Sequence, residues 1–315
     1  MPREVRVAVV QRPPRLLDLE ASLEIAVGAL CEAADGGAEL VVFPEAFLPG
    51  YPVWAWRLRP GADHGLGTEI HSRLRRNAVD LERGGLRPFC EAVADTGVTA
   101  VIGLHELDPV SGSTLYNTVV VIAPDGAILN RHRKLMPTNP ERMVWGMGDG
   151  SGLRVVDTPA GRIGCLICWE SYMPLARAAL YGQQLEVYVA PTWDCGERWQ
   201  ATLRHIATEG GCWVIGTATA LEARDVPEDL PGRERLFEDS EEWINDGGAT
   251  VVAPFGRLAA GPLVRDKSIL YATIDLDRAA DARRALDVAG HYARPDVLRL
   301  VVDRGVRSAV VFEED

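Results

Sequence analysis

Val5 to Gln11 is an apolar run of strand length, and a second such run, Leu40 to Phe43, follows a helical pattern over Leu16 to Asp35. Leu19, Leu23, Val27, Leu30 and Ala34 fall on one face of that helix, the spacing of an amphipathic turn every 3.6 residues. Gly36-Gly37 ends it. A strand-helix-strand opening places neighbouring strands in one sheet, and this is what most restricts the fold. The same alternation continues. Helical patterns run from Glu69 to Leu81 and Leu86 to Thr96, and Thr99 to Leu107 is an apolar strand. Tyr116 to Ala123 with Ala127 to His132, and Leu153 to Asp157 with Arg162 to Ile167, read as hairpins around Pro-Gly turns. Pro174 to Tyr181 and Arg198 to Glu209 read as helices; Glu186 to Ala190, Cys212 to Ala220 and Ala249 to Ala253 read as strands. Arg257 to Ala260 and Ser268 to Ile274 are further strands, Leu276 to Leu286 a helix, and the tail from Gly290 to Gly305 ends in a short strand. The expected fold is a layered, mixed α/β structure, with no boundary that splits residues 1–315 into two domains.

Three stretches break the alternation. Ala46 to Glu69 is long for a connection and rich in Pro, Gly and aromatics, and long loops in compact domains often carry function. Lys134 to Gly152 has no usable periodicity. Leu221 to Asp246 is acidic and reads as a surface loop or a partner contact.

The formal net charge of −12 argues against a nucleic-acid or anionic-membrane partner. The first residues show no secretory pattern, and no apolar run reaches spanning length. Six cysteines spread over 315 residues suit reduced thiols and a cytoplasmic home. Cys165 and Cys168 form a C-x-x-C, but no second pair follows at metal-ligand spacing, so no metal is expected and Cys165 reads as packing. No glycine-rich phosphate loop follows a strand, and no cofactor is expected.

Polar residues at strand ends are where an α/β sheet assembles a site. Cys168 follows the strand Arg162 to Ile167 and precedes a helix opened by Pro174. A turn of that kind lifts a side chain out of the sheet and brings backbone N–H groups near it, which suits a nucleophile. Read alone, such a cysteine is a packing residue; its partners decide. Glu45 sits at the exit of Leu40 to Phe43, and Lys134 at the exit of the hairpin Tyr116 to His132. Of 33 basic residues only Lys134 and Lys267 are lysines, and an ammonium gives up a proton where a guanidinium does not. Thiol, carboxylate and amine form a working set: the thiol attacks, the carboxylate handles protons, the amine meets developing charge.

With their flanks, these residues resemble the nitrilase superfamily of carbon–nitrogen hydrolases. The matching stretches are GAELVVFPEAFLPGYP around Glu45, HRKLMPT around Lys134 and CLICWESYMPLAR around Cys168. ERMVWGMGDGSGL, APTWD, RHIATEGGCWVIG and GHYARPDVL resemble the nitrilase branch in particular. The resemblance implies a four-layer α-β-β-α sandwich of two mixed sheets, a homodimer or larger homo-oligomer, and a small-molecule nitrile as substrate. Glu45, Lys134 and Cys168 are then catalytic, with Glu141 as a second glutamate that keeps Lys134 or a water in register. The backbone N–H of Trp169 joins Lys134 in receiving charge, and Tyr51, Trp54, Trp145 and Trp193 line the substrate pocket. Glu170 ties down the turn; His132 and His205 are packed structural histidines. The chain departs from the family pattern at Cys165 and Ser171. Amidase, carbamoylase and cyanide-hydrating activities use the same thiol chemistry and remain alternatives, as does a non-catalytic binding subunit.

Overall fold

The computed structural model describes residues 3–306. Its first strand, β1 (Glu4–Val10), sends Val5, Val7 and Val9 into a core between two sheets and Ala8 and Val10 into a core beneath helices. Side chains alternate along a strand, so one covered on both faces reads as a continuous apolar run.

The first half of the chain supplies α1 (Leu19–Asp35), β2 (Leu40–Val42), α2 (His64–Arg76), α3 (Arg87–Thr96), β3 (Thr99–Leu107), β4 (Leu115–Ile122) and β5 (Ile128–Arg133). The second supplies β6 (Val155–Thr158), β7 (Gly161–Cys165), α4 (Pro174–Tyr181), β8 (Val187–Pro191), α5 (Glu197–Glu209), β9 (Trp213–Thr217), β10 (Ala220–Glu222), α6 (Arg233–Leu236), β11 (Trp243–Ala253), β12 (Arg257–Val264), β13 (Ile269–Asp275) and α7 (Asp277–Ala285). One sheet has the order β13-β1-β2-β3-β4-β5; the other runs β10-β11-β9-β8-β7-β6, with β12 on β11. The centres, β1-β2-β3 and β7-β8-β9, are parallel, and the flanks are antiparallel.

Val7, Val9, Val42 and Val101 of the first sheet pack against Ile163, Val187, Val189 and Ile215 of the second. Ala26, Leu30, Phe89 and Val93 of α1 and α3 cover the outer face of the first sheet. Leu180, Trp199, Leu203 and Ile206 of α4 and α5 cover the second. The expected α-β-β-α layering of two mixed sheets is therefore the observed one. Full burial of each Val or Leu contributes about 1.5–3 kcal/mol before entropy is counted.

Several boundaries differ from the sequence reading for local reasons. The Asp18 carboxylate accepts from Ala21 N–H at 3.0 Å and caps α1, which therefore starts at Leu19 rather than Leu16. The helix expected over Glu69 to Leu81 is α2, displaced toward the N-terminus. Val79 leaves the helical pattern to bond β3, its N–H donating to His105 O at 2.8 Å and its C=O accepting from Leu107 N–H at 2.9 Å. The strand expected over Cys212 to Ala220 divides into β9 and β10, where Ala220 N–H turns to Gln11 O.

Leu221 to Asp246 is a brace rather than a surface loop. Leu221, Val226, Leu230, Leu236 and Phe237 are buried against Tyr51, Val53 and Trp54. Arg57 bonds Glu242 and Leu236 O and lies over the Phe237 ring, clamping the loop after β2 to this segment. The tail strand is not formed: residues 286–306 carry no strand, and Leu298 and Val301 are exposed without a sheet partner. Among the described residues no helix is long and apolar enough to cross a membrane.

Candidate active site

Glu45, Lys134 and Cys168 all lie just past strand ends: Glu45 after β2, Lys134 after β5, Cys168 after β7. Each is at most 4% exposed. The fold brings the first two into direct contact. Lys134 Nζ donates to Glu45 Oε1 at 2.8 Å and to Glu141 Oε2 at 2.7 Å. Asn117 Nδ2, from β4, also donates to Glu45 Oε1 at 2.7 Å. Glu45 Oε2 is buried and has no hydrogen-bond partner in the protein. One carboxylate oxygen is thus fixed by two donors while the other is left to act.

Glu141 is buried, not a surface acid. Its carboxylate accepts from Tyr51 Oη at 2.6 Å and from Thr138 N–H at 2.7 Å as well as from Lys134. Trp56 Nε1 donates to Tyr51 Oη at 3.0 Å, so the aromatic loop after β2 is tied to the ammonium through Glu141.

Burial is the main force on Glu45 and lifts its pKa to about 7; the Glu141 charge adds to this, while Lys134 and Asn117 oppose it. Burial also works against the charge on Lys134, but Glu45, Cys168 and Glu141 outweigh it and hold its pKa above the ordinary range. The Cys168 pKa is pushed well up, first by burial and then by the Glu45 charge, against the pull of Lys134 and of a hydrogen bond from Thr192. At rest the group is a thiol, within electrostatic reach of the Glu45 carboxylate.

Cys168 has φ +54°, a left-handed conformation that costs a non-glycine residue about 1–3 kcal/mol. Glu170 holds it there. Its carboxylate accepts from Ile167 N–H at 2.7 Å, before the cysteine, and from Leu135 N–H at 2.6 Å, after the lysine. His132 Nε2 lies 3.0 Å from the same carboxylate, fully buried, as its structural reading expected. His205 departs from that reading: its side chain is 63% exposed and pairs with Glu209 on the surface of α5.

Cys168 opens into a cavity of about 230 Å3 whose walls include Tyr51, Trp56, Trp169, Trp193, Asp194 and Asn245. Tyr51 and Trp193 stack with centroids 4.3 Å apart and planes 1° from parallel. Trp54 and Trp145 do not line this cavity. Trp54 lines a separate one of about 280 Å3 with His64 and His71. Trp145 is buried behind Tyr51, its Nε1 donating to His105 Nδ1 at 2.9 Å. Burial lowers the His105 pKa to about 3, so the ring is neutral and Nε2–H donates to Gly50 O at 2.8 Å, fixing the turn before Tyr51.

Cys165 is fully buried in the core between the sheets, as the packing reading expected. Ser171 Oγ lies 2.9 Å from Tyr188 Oη behind the turn, away from the cavity walls. Lys267, the other lysine, pairs with Glu222 and Asp225 and is structural. Among the described residues, no group of three or more His, Cys, Asp or Glu side chains is arranged to hold a metal ion.

Sequence reasoning missed Asn117, Thr138, Thr192, Asp194, Trp56 and Asn245. Asn117 had a signal, being polar within the apolar run Leu115–Ile122. Thr192 had another, since it stands just past β8, the position that marked the other three.

The carbon-nitrogen hydrolase family pattern matches residues 6–284. An aliphatic nitrilase of Sinorhizobium fredii (strain HH103) is 43% identical over 307 residues, covering 97% of this chain and 98% of that protein. A bifunctional nitrilase/nitrile hydratase of Lupinus angustifolius is 40% identical over 315 residues, covering 98% of this chain and 88% of that protein. The NitFhit protein of C. elegans superposes with a TM-score of 0.73 at 20% identity, over 97% of this chain and 69% of that one, which speaks to the fold. With the family pattern spanning both sheets and all three strand-end residues, the chain belongs to the carbon-nitrogen hydrolase family.

Proposed function

We propose that this protein is a nitrilase that hydrolyses an organic nitrile to the carboxylic acid and ammonia. The observation that carries the reading is the Glu45–Lys134–Glu141 contact chain beside a strained, cavity-lining Cys168, in a chain 43% identical to an aliphatic nitrilase. The unpartnered Glu45 Oε2 takes the thiol proton. The sulfur electron pair forms a bond to the nitrile carbon, one C≡N π pair moves to nitrogen, and nitrogen takes up the proton that Glu45 received from the thiol, giving a thioimidate and restoring the carboxylate. Lys134 and the Trp169 backbone N–H receive the developing charge. Glu45 then deprotonates a water that adds to the carbon. Loss of ammonia leaves a thioester, which a second water hydrolyses to the acid. If the thiolate leaves before ammonia, an amide is released instead.

Among the described residues no cationic side chain lines the cavity, which is bordered by the carboxyl-bearing Glu141 and Asp194 and walled by Tyr51, Trp56, Trp169 and Trp193. These features support a small-molecule nitrile without an anionic tail. The net charge of −12 and the six unpaired thiols support a protein that keeps clear of nucleic acid and anionic membrane and resides in the cytoplasm. A homodimer or larger homo-oligomer is part of the same proposal, and sedimentation tests it.

The test is incubation with an aliphatic nitrile, an arylacetonitrile and the matching amides, with ammonia, acid and amide measured. Nitrile turnover lost in Cys168→Ala and in Lys134→Arg is the expected result. Turnover of amides without nitriles makes the protein an amidase instead.

A further inference from the structure

Thr192 Oγ1 donates a hydrogen bond to Cys168 Sγ at 3.1 Å. Thr192 is 1% exposed, and its backbone is fixed at the end of β8, with its N–H donating to Thr217 O at 2.8 Å. Asp194 N–H donates to the same hydroxyl oxygen at 2.8 Å. A hydroxyl has one hydrogen and two lone pairs. With Asp194 N–H occupying one lone pair, the hydrogen points away from Asp194, toward the sulfur. The Asp194 carboxylate in turn accepts from Trp169 Nε1 at 2.7 Å, and Trp169 is the residue after the nucleophile. The bonds close a ring: Cys168 to Trp169 along the chain, Trp169 to Asp194, Asp194 to Thr192, and Thr192 back to the sulfur. The β-branched side chain adds stiffness, since Thr has few χ1 choices. Lys134 is committed to Glu45 and Glu141, so the donor aimed at sulfur comes from the second sheet.

We propose that Thr192 is a catalytic residue, the hydrogen-bond donor that stabilises the Cys168 thiolate, with Asp194 as the positioning residue that orients its hydroxyl. The proposal rests on Cys168 being the nucleophile. When the thiol proton passes to Glu45, the sulfur carries the charge and the Thr192 hydroxyl is already turned to it. As the S–C bond forms, that charge leaves the sulfur for the nitrile nitrogen. Thr192 keeps its own proton throughout. When the thioester is hydrolysed and the sulfur leaves, the same hydroxyl receives it again.

The experiment follows alkylation of Cys168 by iodoacetamide against pH. Peptide mass spectrometry reads the modified residue, and Cys168→Ala serves as the blank. Thr192→Val is expected to slow alkylation at pH 8 by about 10-fold or more and to move the pH midpoint up by roughly one unit, the scale of one hydrogen bond to a charged group. Nitrile kcat is expected to fall by about 10- to 100-fold with KM little changed. Thr192→Ser, which restores the hydroxyl without the methyl, is expected to recover both. If Thr192→Val does not fold, Thr192→Ala is read in the same way and adds no bulk. An alkylation profile in either variant that overlays the parent overturns the proposal. So does a serine variant as slow as valine, which assigns the effect to packing of the methyl group. Absence of nitrile turnover in the parent overturns the nitrilase reading alone, because alkylation reports on the thiol without substrate.

Discussion

Gly103 lies directly beneath Glu45: a Cβ built on Gly103 sits 2.9 Å from Glu45 Cα, 2.4 Å from Pro44 O and 2.6 Å from Ala46 N. The obstructing atoms are backbone, so they cannot swing aside. Gly103→Ala is expected to push the turn after β2 off β3, cost about 1–3 kcal/mol of stability and reduce kcat well beyond what the Tm loss explains. Thermal melting beside steady-state kinetics checks this. A variant with normal kcat shows that the turn tolerates displacement.

With Glu45 as the base of the proposed mechanism, the acid limb of the pH profile is expected to follow its titration. Its pKa is raised by burial to about 7, so activity is expected to hold above that pH and to be lost as pH falls through it. The Asn117 hydrogen bond favours the carboxylate. Asn117→Ala is therefore expected to move the acid limb to higher pH, and kcat/KM against pH for parent and variant measures the shift. A limb displaced to lower pH contradicts the assignment.

Glu170 joins the chain before Cys168 to the chain after Lys134 through two backbone N–H groups. Gln in its place offers one acceptor oxygen and turns an NH2 toward the other N–H. Glu170→Gln is expected to cost about 1–3 kcal/mol, the penalty of one buried unpaired donor, and to lower kcat more than it raises KM. Denaturant unfolding and kinetics together separate these effects.

Trp193 narrows the cavity by stacking on Tyr51, and Asn245 Nδ2 holds its carbonyl at 2.5 Å. Trp193→Ala removes a stacking contribution of about 0.5–1.5 kcal/mol and opens that wall. Bulky arylalkyl nitriles are expected to gain in kcat/KM relative to small aliphatic ones. A preference unchanged across a size series shows that another wall sets the limit.

The layers and the three strand-end residues were legible in the sequence because they depend on local signals: apolar runs, helical spacing and a polar residue where a run stops. Val5 to Gln11 and Thr99 to Leu107 needed no tertiary information. The end of α2 did, because Val79 is drawn to β3 by hydrogen bonds that only the assembled sheet offers. The acidic composition of Leu221 to Asp246 hid its buried leucines, whose acidic neighbours Glu242 and Glu222 are neutralised by Arg57 and Lys267. Trp54 and Trp145 are aromatic and close in sequence to the site, as Tyr51 and Trp56 are, yet face elsewhere. Which way a loop aromatic turns is settled by packing against segments far along the chain. Thr192 and Asp194 were missed because the side chains they meet, Cys168 and Trp169, follow a different strand.

Glu45, Asn117 and Lys134 hang from the first sheet, and Cys168 and Thr192 from the second. Glu45 and Cys168 therefore share no strand, and apart from the Glu170 tie their separation is set by the valine-rich layer between the sheets, which acts as a caliper. Remote methyl groups at Val9, Val42, Val187 or Val189 become tuning screws for turnover. In the proposed mechanism, slippage of the two sheets is expected to lower turnover before either sheet unravels.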